Sequence, residues 1–142
     1  MKVRTNDEGY TLTEMLVVIG IIGLIAAALT PAMIGQMGRA RAKAARLQVE
    51  TVGAAVEMFR TDVGRYPTPE EGLNALVRAP GGTEGWTGPY VRDAKSIRDP
   101  WGRALAYRAD DQDAFTVASL GSDGKPGGEG TKADLIFPEP VK

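Results

Sequence analysis

The side chains available for chemistry are few in kind. The 142 residues include no His and no Cys, which excludes the commonest general base near neutral pH, a thiolate nucleophile, disulfides and Cys-type zinc sites. Seventeen Lys and Arg nearly balance eighteen Asp and Glu, so a wholly basic nucleic-acid-binding surface is also excluded. No arrangement of the remaining carboxylates, Lys, Ser and Tyr matches a catalytic pattern. The composition favours a structural or binding role over an enzyme.

One carboxylate occupies a position where charge is costly. Glu14 follows Gly9-Tyr10-Thr11-Leu12-Thr13 and opens directly into residues 15–38, which carry no charge. About 20 apolar residues suffice for a helix that spans a membrane. Glu14 is either an N-terminal cap at headgroup level, favoured by the helix dipole, or half of an ion pair with another chain.

A second candidate site is the glycine-rich loop over residues 121–130. Asp123 and Asp134 are its nearest carboxylates, and calcium prefers carboxylates mixed with backbone carbonyls. The loop has neither the fixed EF-hand pattern nor the Gly-Lys-Ser/Thr ending of a phosphate-binding loop. From the residues alone, a cation site and a plain turn both remain open.

The elements that position these residues follow from hydrophobic periodicity. Apolar residues recur at spacings of three and four after the uncharged run, which predicts that one long helix continues with a single buried face. The helix should stop near Gly64, because the Pro-containing segment 66–69 cannot continue it. The predicted buried positions are Val49, Val52, Val56, Phe59 and Val63.

The rest of the chain is broken by Gly and Pro into short elements. They comprise a short helix over residues 70–77 with Thr68 as its cap, strands over 105–108 and 114–120 joined by an acidic turn at 110–113, and an extended segment over 133–137. Loop aromatic residues are expected to fill the core beside them. Three short strands beside one long helix predict an α+β fold.

The segment from Gly9 to Val18 closely resembles the prepilin-peptidase site of type IV pilins and type II secretion pseudopilins. The resemblance implies cleavage between Gly9 and Tyr10, N-methylation of Tyr10, and a role for Glu14 in docking subunits in a filament. Tyr replaces the family's usual Phe but keeps the aromatic ring. The chain would then comprise a leader (1–9), a transmembrane and filament-core helix (10–38) and a periplasmic head (39–142).

The C-terminal half resembles the G-type major pseudopilins of type II secretion. The motifs that carry this resemblance are Gly64-Arg65-Tyr66-Pro67-Thr68, Glu71-Gly72-Leu73, Gly88-Pro89-Tyr90, Asp99-Pro100-Trp101-Gly102 and Ser119-Leu120-Gly121-Ser122-Asp123-Gly124. The family has a pilin-like fold in which a structural calcium ion stabilises the C-terminal loop. By resemblance, Asp123 and the Leu120 carbonyl bind calcium, and we add Asp134 and the Ser122 carbonyl.

The resemblance also implies a function and partners. The chain would be an inner-membrane precursor, in contact with lipid until it polymerises with itself into a helical periplasmic pseudopilus that helps move folded proteins across the outer membrane. Its partners would be prepilin peptidase, minor pseudopilins and the inner-membrane secretion platform, with no nucleic acid.

One observation opposes the implied orientation, and other classes of protein remain. Four basic residues between positions 39 and 46 outnumber the two before the apolar run, so the positive-inside rule alone would place the C-terminal side in the cytoplasm. The alternatives are a type IV pilus or DNA-uptake subunit, a membrane-anchored calcium-binding module that does not polymerise, and an enzyme that uses Asp or Glu.

Overall fold

The computed structural model describes residues 9–110 and 114–139, without the side chains at positions 31 and 32. The predicted leader, apart from Gly9, and most of the predicted acidic turn lie outside these residues. The described elements are helix α1 (Leu12–Val63), strands β1 (Ala106–Asp110), β2 (Ala114–Ser119) and β3 (Leu135–Phe137), and two 3₁₀ turns (Gly72–Leu76 and Gly130–Lys132). The chain divides into two compact units, Met1–Met37 and Gly38–Lys142.

The first unit contains the apolar start of α1. The Thr11 side chain accepts a hydrogen bond from the Glu14 backbone N–H at 3.2 Å, which caps the helix. Large apolar side chains here are exposed, including Ile19 (69%) and Leu24 (74%). α1 contains a segment long and apolar enough to cross a membrane, and none of it is buried. Such a surface is stable in lipid or against other apolar helices rather than in water.

The second unit has its hydrophobic core on the predicted face of α1. Val49, Val52, Val56 and Phe59 are buried as predicted, and Val63 is half-buried. The remaining buried apolar residues of the cluster are Ala55, Tyr66, Leu73, Ala75, Leu76, Val91, Leu105, Phe115 and Val117. The amphipathic second half of the helix is therefore held by tertiary packing, whereas its first half has no such packing within its own unit.

The end of α1 also agrees with the sequence. The helix ends at Val63, and Gly64 follows with φ +82°, a left-handed conformation that glycine adopts without penalty. The segment predicted as a helix over 70–77 is shorter than predicted, because only residues Gly72–Leu76 form a 3₁₀ turn. The N-cap of this turn is Glu71, without a side-chain cap, so Thr68 does not cap it; its hydroxyl instead accepts a hydrogen bond from Glu71 N–H at 3.3 Å, in the segment just before the turn.

The three strands form one antiparallel sheet in the order β1-β2-β3. The central strand β2 alternates, with Phe115, Val117 and Ser119 buried, as expected for a sheet with one face on the core. β1 begins one residue later than predicted, because Leu105 donates its N–H to the Ile97 carbonyl instead (3.1 Å). The α+β prediction of a long helix with a small antiparallel sheet is confirmed.

Candidate functional site

The N-terminal candidate residues are all accessible. Gly9, Tyr10 and Glu14 are exposed, and a Cβ placed on Gly9 would meet nothing within 4 Å. Glu14 lies in the first turn of α1, where the helix dipole favours a carboxylate. Among the residues that the structure describes, no side chain donates a hydrogen bond to the Glu14 carboxylate. The Gly9–Tyr10 peptide bond is therefore accessible to a peptidase. The Glu14 carboxylate is available for an ion pair with another chain.

The loop from Leu120 to Asp134 joins β2 to β3 and is closed by its own backbone. The Ser122 N–H donates to the Thr131 carbonyl at 2.9 Å, and the Gly124 N–H donates to the Leu120 carbonyl at 3.0 Å. Gly121 has φ +58°, and a side chain there would overlap with the Lys132 carbonyl. Only glycine therefore permits the two halves of the loop to approach this closely.

Asp134 is the carboxylate with an unsatisfied atom. Its Oδ2 accepts a hydrogen bond from the Gly127 N–H at 2.9 Å. Its Oδ1 is buried and has no hydrogen-bond partner among the described residues. A buried carboxylate oxygen without a partner is costly unless a cation or an unrecorded donor satisfies it.

The other predicted ligands lie in the same loop but are already partly engaged. Asp123 is exposed, and its Oδ1 accepts the Lys125 N–H at 3.2 Å. The Leu120 carbonyl accepts the bond from Gly124, and Ser122 is half-buried. Within residues 9–110 and 114–139, no three acidic side chains converge on a point. A cation here would take oxygen ligands from carbonyls as well as from Asp123 and Asp134, a donor set that fits calcium.

The loop contacts an ion pair with a buried aspartate, which sequence reasoning did not identify. The Asp99 side chain is only 2% exposed and lies 2.9 Å from Arg103 Nη2. Its Oδ1 accepts the N–H groups of Trp101 (3.0 Å) and Arg103 (2.8 Å), and its Oδ2 accepts the Ser119 hydroxyl at 3.2 Å. Asp99 is thus fully surrounded by donors, as a buried charge must be.

Arg103 connects this network to the glycine-rich loop. Its guanidinium donates to the Gly121 carbonyl, and a side chain at Gly124 (φ +68°) would overlap with it. The segment Asp99-Pro100-Trp101-Gly102 signals a turn in the sequence, but nothing in it predicts that the aspartate is buried. Arg103 fixes the backbone of residues 121–124 through this contact.

A second ion pair joins the end of α1 to the first 3₁₀ turn. Arg65 donates two hydrogen bonds to the Glu71 carboxylate, at 2.7 and 2.8 Å, and the same carboxylate accepts the Thr68 N–H at 2.8 Å. Hydrogen bonding from Arg65 lowers the pKa of Glu71 below its usual value, despite partial desolvation. The Glu71 carboxylate has a structural role, because its hydrogen-bond donors are the Arg65 side chain and the Thr68 backbone N–H of the same folded unit.

Of the three loop aromatic residues expected in the core, Trp86 and Tyr90 pack half-buried against it, whereas Trp101 lies outside that cluster and contacts Arg103 instead. Tyr90 packs edge-on against Phe59 with ring centroids 5.8 Å apart, and Trp86 packs against Tyr90 at 5.6 Å. The Trp86 indole N–H donates to the Ala75 carbonyl at 2.9 Å. Hydrogen bonds from Thr87 and Tyr90 lower the pKa of Asp62. These residues therefore have a role in packing.

An exposed apolar helix that begins at a processing motif and continues into a small α+β head defines the class of pilin-like subunits. Residues 4–30 match the family model of the prokaryotic N-terminal methylation motif, and residues 32–137 match that of type II secretion system protein G.

Relatives over nearly the whole chain agree with this class. The type II secretion system core protein G of Xanthomonas campestris pv. campestris is 36% identical over 94% of this chain and 92% of the relative. That of Pseudomonas aeruginosa is 34% identical over 93% and 95%, and that of Vibrio cholerae is 34% identical over 95% and 94%. The crystal structure of the major pseudopilin of enterohaemorrhagic Escherichia coli is similar with a TM-score of 0.54 and 25% identity, over 73% of this chain and 91% of that one.

The chain therefore belongs to the type II secretion system protein G family and is a pseudopilin with an N-methylation motif. The resemblance to G-type pseudopilins is confirmed, which disfavours a type IV pilus or DNA-uptake subunit. The family consists of structural subunits, and the apolar helix at the N-terminus of this chain agrees with a membrane-anchored component of the secretion system.

Proposed function

We propose that this chain is made as an inner-membrane precursor, cleaved between Gly9 and Tyr10, N-methylated on Tyr10, and polymerised into a periplasmic pseudopilus that helps move folded proteins across the outer membrane. The observation that supports this most is the match of residues 4–30 to the methylation motif, which runs directly into the exposed apolar surface of α1. Prepilin peptidase, minor pseudopilins and the inner-membrane secretion platform are its proposed partners. We assign it no enzymatic activity and no nucleic-acid partner.

Assembly exchanges one apolar environment for another. The large apolar side chains of α1 are exposed in the first unit, so they contact lipid in the precursor and the helices of other copies in the filament. Cleavage after Gly9 creates a new amino terminus at Tyr10, four residues before Glu14. In a low-dielectric filament core, the Glu14 carboxylate of one copy then pairs with the cationic terminus of a neighbour.

This proposal places the head in the periplasm, whereas the positive-inside rule, applied to the number of basic residues on each side of the apolar run, would place it in the cytoplasm. The basic residues between 39 and 46 are all exposed, and Arg46 lies 2.8 Å from Glu139 of the same chain. Lipid phosphates or acidic groups of neighbouring subunits would balance the other three charges on the periplasmic side.

We further propose that a structural calcium ion binds in the loop between β2 and β3. The observation that supports it is the buried, unpaired Oδ1 of Asp134 in a loop otherwise rich in carbonyl oxygens. Asp123, Asp134 and the carbonyls of Leu120 and Ser122 would hold the ion. It would supply a positive charge that ties the two ends of the loop together.

Processing and assembly are tested together on protein extracted from its native membrane. Intact mass and N-terminal sequencing should find a chain that begins at N-methylated Tyr10. Glu14→Ala should still be cleaved but should lower the filament fraction recovered by shearing at least tenfold, whereas Glu84→Ala, an exposed loop acid, should not change it. A chain that begins at Met1, or one cut near Ala28 as a secretory signal peptide would be, contradicts processing by prepilin peptidase. A Glu14→Ala chain that polymerises as the parent does contradicts the proposed role of Glu14 in assembly, and a parent that stays monomeric supports a membrane-anchored module that does not polymerise.

A further inference from the structure

The turn that precedes β1 is closed by its own backbone around a buried carboxylate. The Asp99 N–H donates to the Arg103 carbonyl at 2.7 Å, and the Gly102 N–H donates to the Asp99 carbonyl at 2.9 Å. An antiparallel bridge between Arg98 and Ala104 closes the base of the turn. Because the Asp99 side chain is only 2% exposed, the turn is anchored in the head and has little freedom to move.

The Arg103 side chain connects this turn to the loop between β2 and β3. Asp99 Oδ2 accepts a hydrogen bond from Arg103 Nε at 3.1 Å and lies 2.9 Å from Nη2. The guanidinium carbon also lies 5.4 Å from the centre of the Trp101 ring, and Nη2 donates to the Gly121 carbonyl. Since Asp99 and Trp101 hold the guanidinium without any help from the loop, Arg103 is a fixed donor against which the loop is placed.

The Gly121 carbonyl lies next to the proposed calcium ligands. The register of the sheet pairs Ser119 of β2 with Leu135 of β3. The residues just beyond this pair, Leu120 and Asp134, therefore leave the two strands at the same end of the sheet. Gly121 follows Leu120 directly, so a donor that holds the Gly121 carbonyl also fixes the peptide that carries the Leu120 oxygen.

The charge of Arg103 is balanced before it reaches the loop. An unpaired guanidinium beside a cation site would repel the cation. Both oxygens of the Asp99 carboxylate accept hydrogen bonds from Arg103, one from its backbone N–H at 2.8 Å and the other from Nε. The ion pair therefore supplies a strong, charge-assisted donor to Gly121 without a net charge, and the negative charges of Asp123 and Asp134 remain available to attract a cation.

We propose that Arg103 is a positioning residue for the calcium site, which holds the start of the loop in its binding conformation before the ion arrives and thereby raises the calcium affinity. Half of residues 121–130 are glycine, so a loop that nothing fixes would populate many other conformations. The apparent affinity for a ligand is proportional to the fraction of molecules whose site is already in the binding conformation. The inference rests on the calcium site proposed above and specifies what preorganises it.

Arg103→Lys separates the positioning role from the ion pair. A lysine side chain ends about where the arginine Cζ lies, so its ammonium keeps a charge beside Asp99 but does not reach the Gly121 carbonyl. In isothermal titration of the full chain in detergent with calcium chloride, the variant should have a dissociation constant at least tenfold above that of the parent. The matched control is Arg98→Lys, because Arg98 belongs to the same turn but donates to the Gly102 carbonyl at 2.9 Å rather than to the loop; it should bind calcium as the parent does.

Amide hydrogen exchange of the calcium-free chain measures the preorganisation directly. The N–H groups of Ser122 and Gly124 are hydrogen-bonded inside the loop, at 2.9 and 3.0 Å. Both should exchange at least tenfold faster in Arg103→Lys than in the parent, and saturating calcium should restore most of their protection. The Tyr90 N–H, which donates to the Leu76 carbonyl at 2.8 Å in the core, should exchange at the same rate in both chains.

The outcomes separate this inference from the calcium site itself. A parent whose titration heat and loop amides do not respond to calcium would overturn the site, and the positioning role with it. Calcium binding by the parent, together with an equal or lower dissociation constant for Arg103→Lys, would overturn the positioning role alone. Exchange at Tyr90 that accelerates as much as exchange in the loop would also overturn it, because Arg103 would then stabilise the head as a whole.

Discussion

Carboxylates in the head differ in how completely their oxygens are satisfied. Asp99 is buried, and its two oxygens accept bonds from backbone, hydroxyl and guanidinium groups. Glu71 accepts two bonds from Arg65 and one from the Thr68 N–H. Asp134 in contrast has one buried oxygen with no partner in the described residues. The contrast identifies Asp134 as a ligand candidate and the other two as structural groups.

Glu71 should make the stability of the head depend on pH. Its folded-state pKa is lowered, chiefly by hydrogen bonding from Arg65, so its contribution is present above the unfolded-state pKa near 4.5 and is lost as the pH falls through the lower folded-state value. Because Arg65 is partly exposed, Glu71→Gln should cost only about 1 kcal/mol at pH 7. That corresponds to a Tm lower by about 4–8 °C.

Thermal unfolding of the full chain in detergent, followed by near-ultraviolet circular dichroism, measures this effect. The difference in Tm between parent and Glu71→Gln should be constant above about pH 5 and should shrink below about pH 4. Glu70→Gln is the matched control, because Glu70 is the exposed neighbour. An equal difference at pH 3 and pH 7, or an equal effect of the control, would contradict the assignment.

The contact between α1 and β3 depends on a glycine in the middle of the helix. Gly53 is buried, and a Cβ there would overlap with the Phe137 ring of β3. Glycine normally lowers helix stability, so its presence at this position is explained by the close approach of the strand. β3 has only three residues, and the packing of Phe137 on Gly53 and Phe115 (ring centroids 5.9 Å apart) fixes it against the helix.

Gly53→Ala should therefore destabilise the head, although alanine favours the helix. Displacing Phe137 should cost about 1–3 kcal/mol, as overpacking of a core does. Gly38→Ala is the control within the same helix, since its Cβ would meet only Thr131 at 3.9 Å, and it should be neutral or stabilising by up to about 1 kcal/mol. Urea unfolding of the two full-length variants measures both, and a stabilising Gly53→Ala would refute the packing argument.

At the scale of the whole molecule, the two units differ in what stabilises them. The first unit buries none of its apolar segment in itself and depends on lipid or other copies. The second unit has a hydrophobic core but no disulfide, and its long loop between β2 and β3 is short of regular structure. A cation that binds only the folded loop would stabilise the entire head by mass action.

Calcium should accordingly raise the unfolding temperature of the full chain. At a free concentration a hundred times the dissociation constant, one site adds about 2.7 kcal/mol. Asp134→Asn keeps an oxygen for the Gly127 N–H but removes the charge, and should abolish most of the increase. Asp110→Asn, a matched change at an exposed residue, should retain it. A parent Tm that is equal in calcium and in excess chelator would overturn the proposed site, and isothermal titration provides an independent measure.

The sequence by itself determined the features that depend on residues close together in the chain. The buried face of α1 follows from helical periodicity, its end near Gly64 from glycine and proline chemistry, and the processing motif around Gly9 from residues adjacent in the chain. The strands were located to within two residues, because alternation and turn residues mark them. The resemblance to G-type pseudopilins followed from short motifs in a fixed order.

Only the tertiary structure decided which distant residues meet. The hydrogen bond from the Ser119 hydroxyl to the buried Asp99 and the contact of the Arg103 guanidinium with the Gly121 carbonyl join segments about 20 residues apart, and no local pattern encodes them. Likewise, Gly53 can be identified as a packing site only from the structure, in which the Phe137 ring lies against it. Periodicity indicates whether a residue of a helix or strand faces the core or the solvent. The hydrogen-bond partners of a buried polar atom, in contrast, come from segments that only folding brings together.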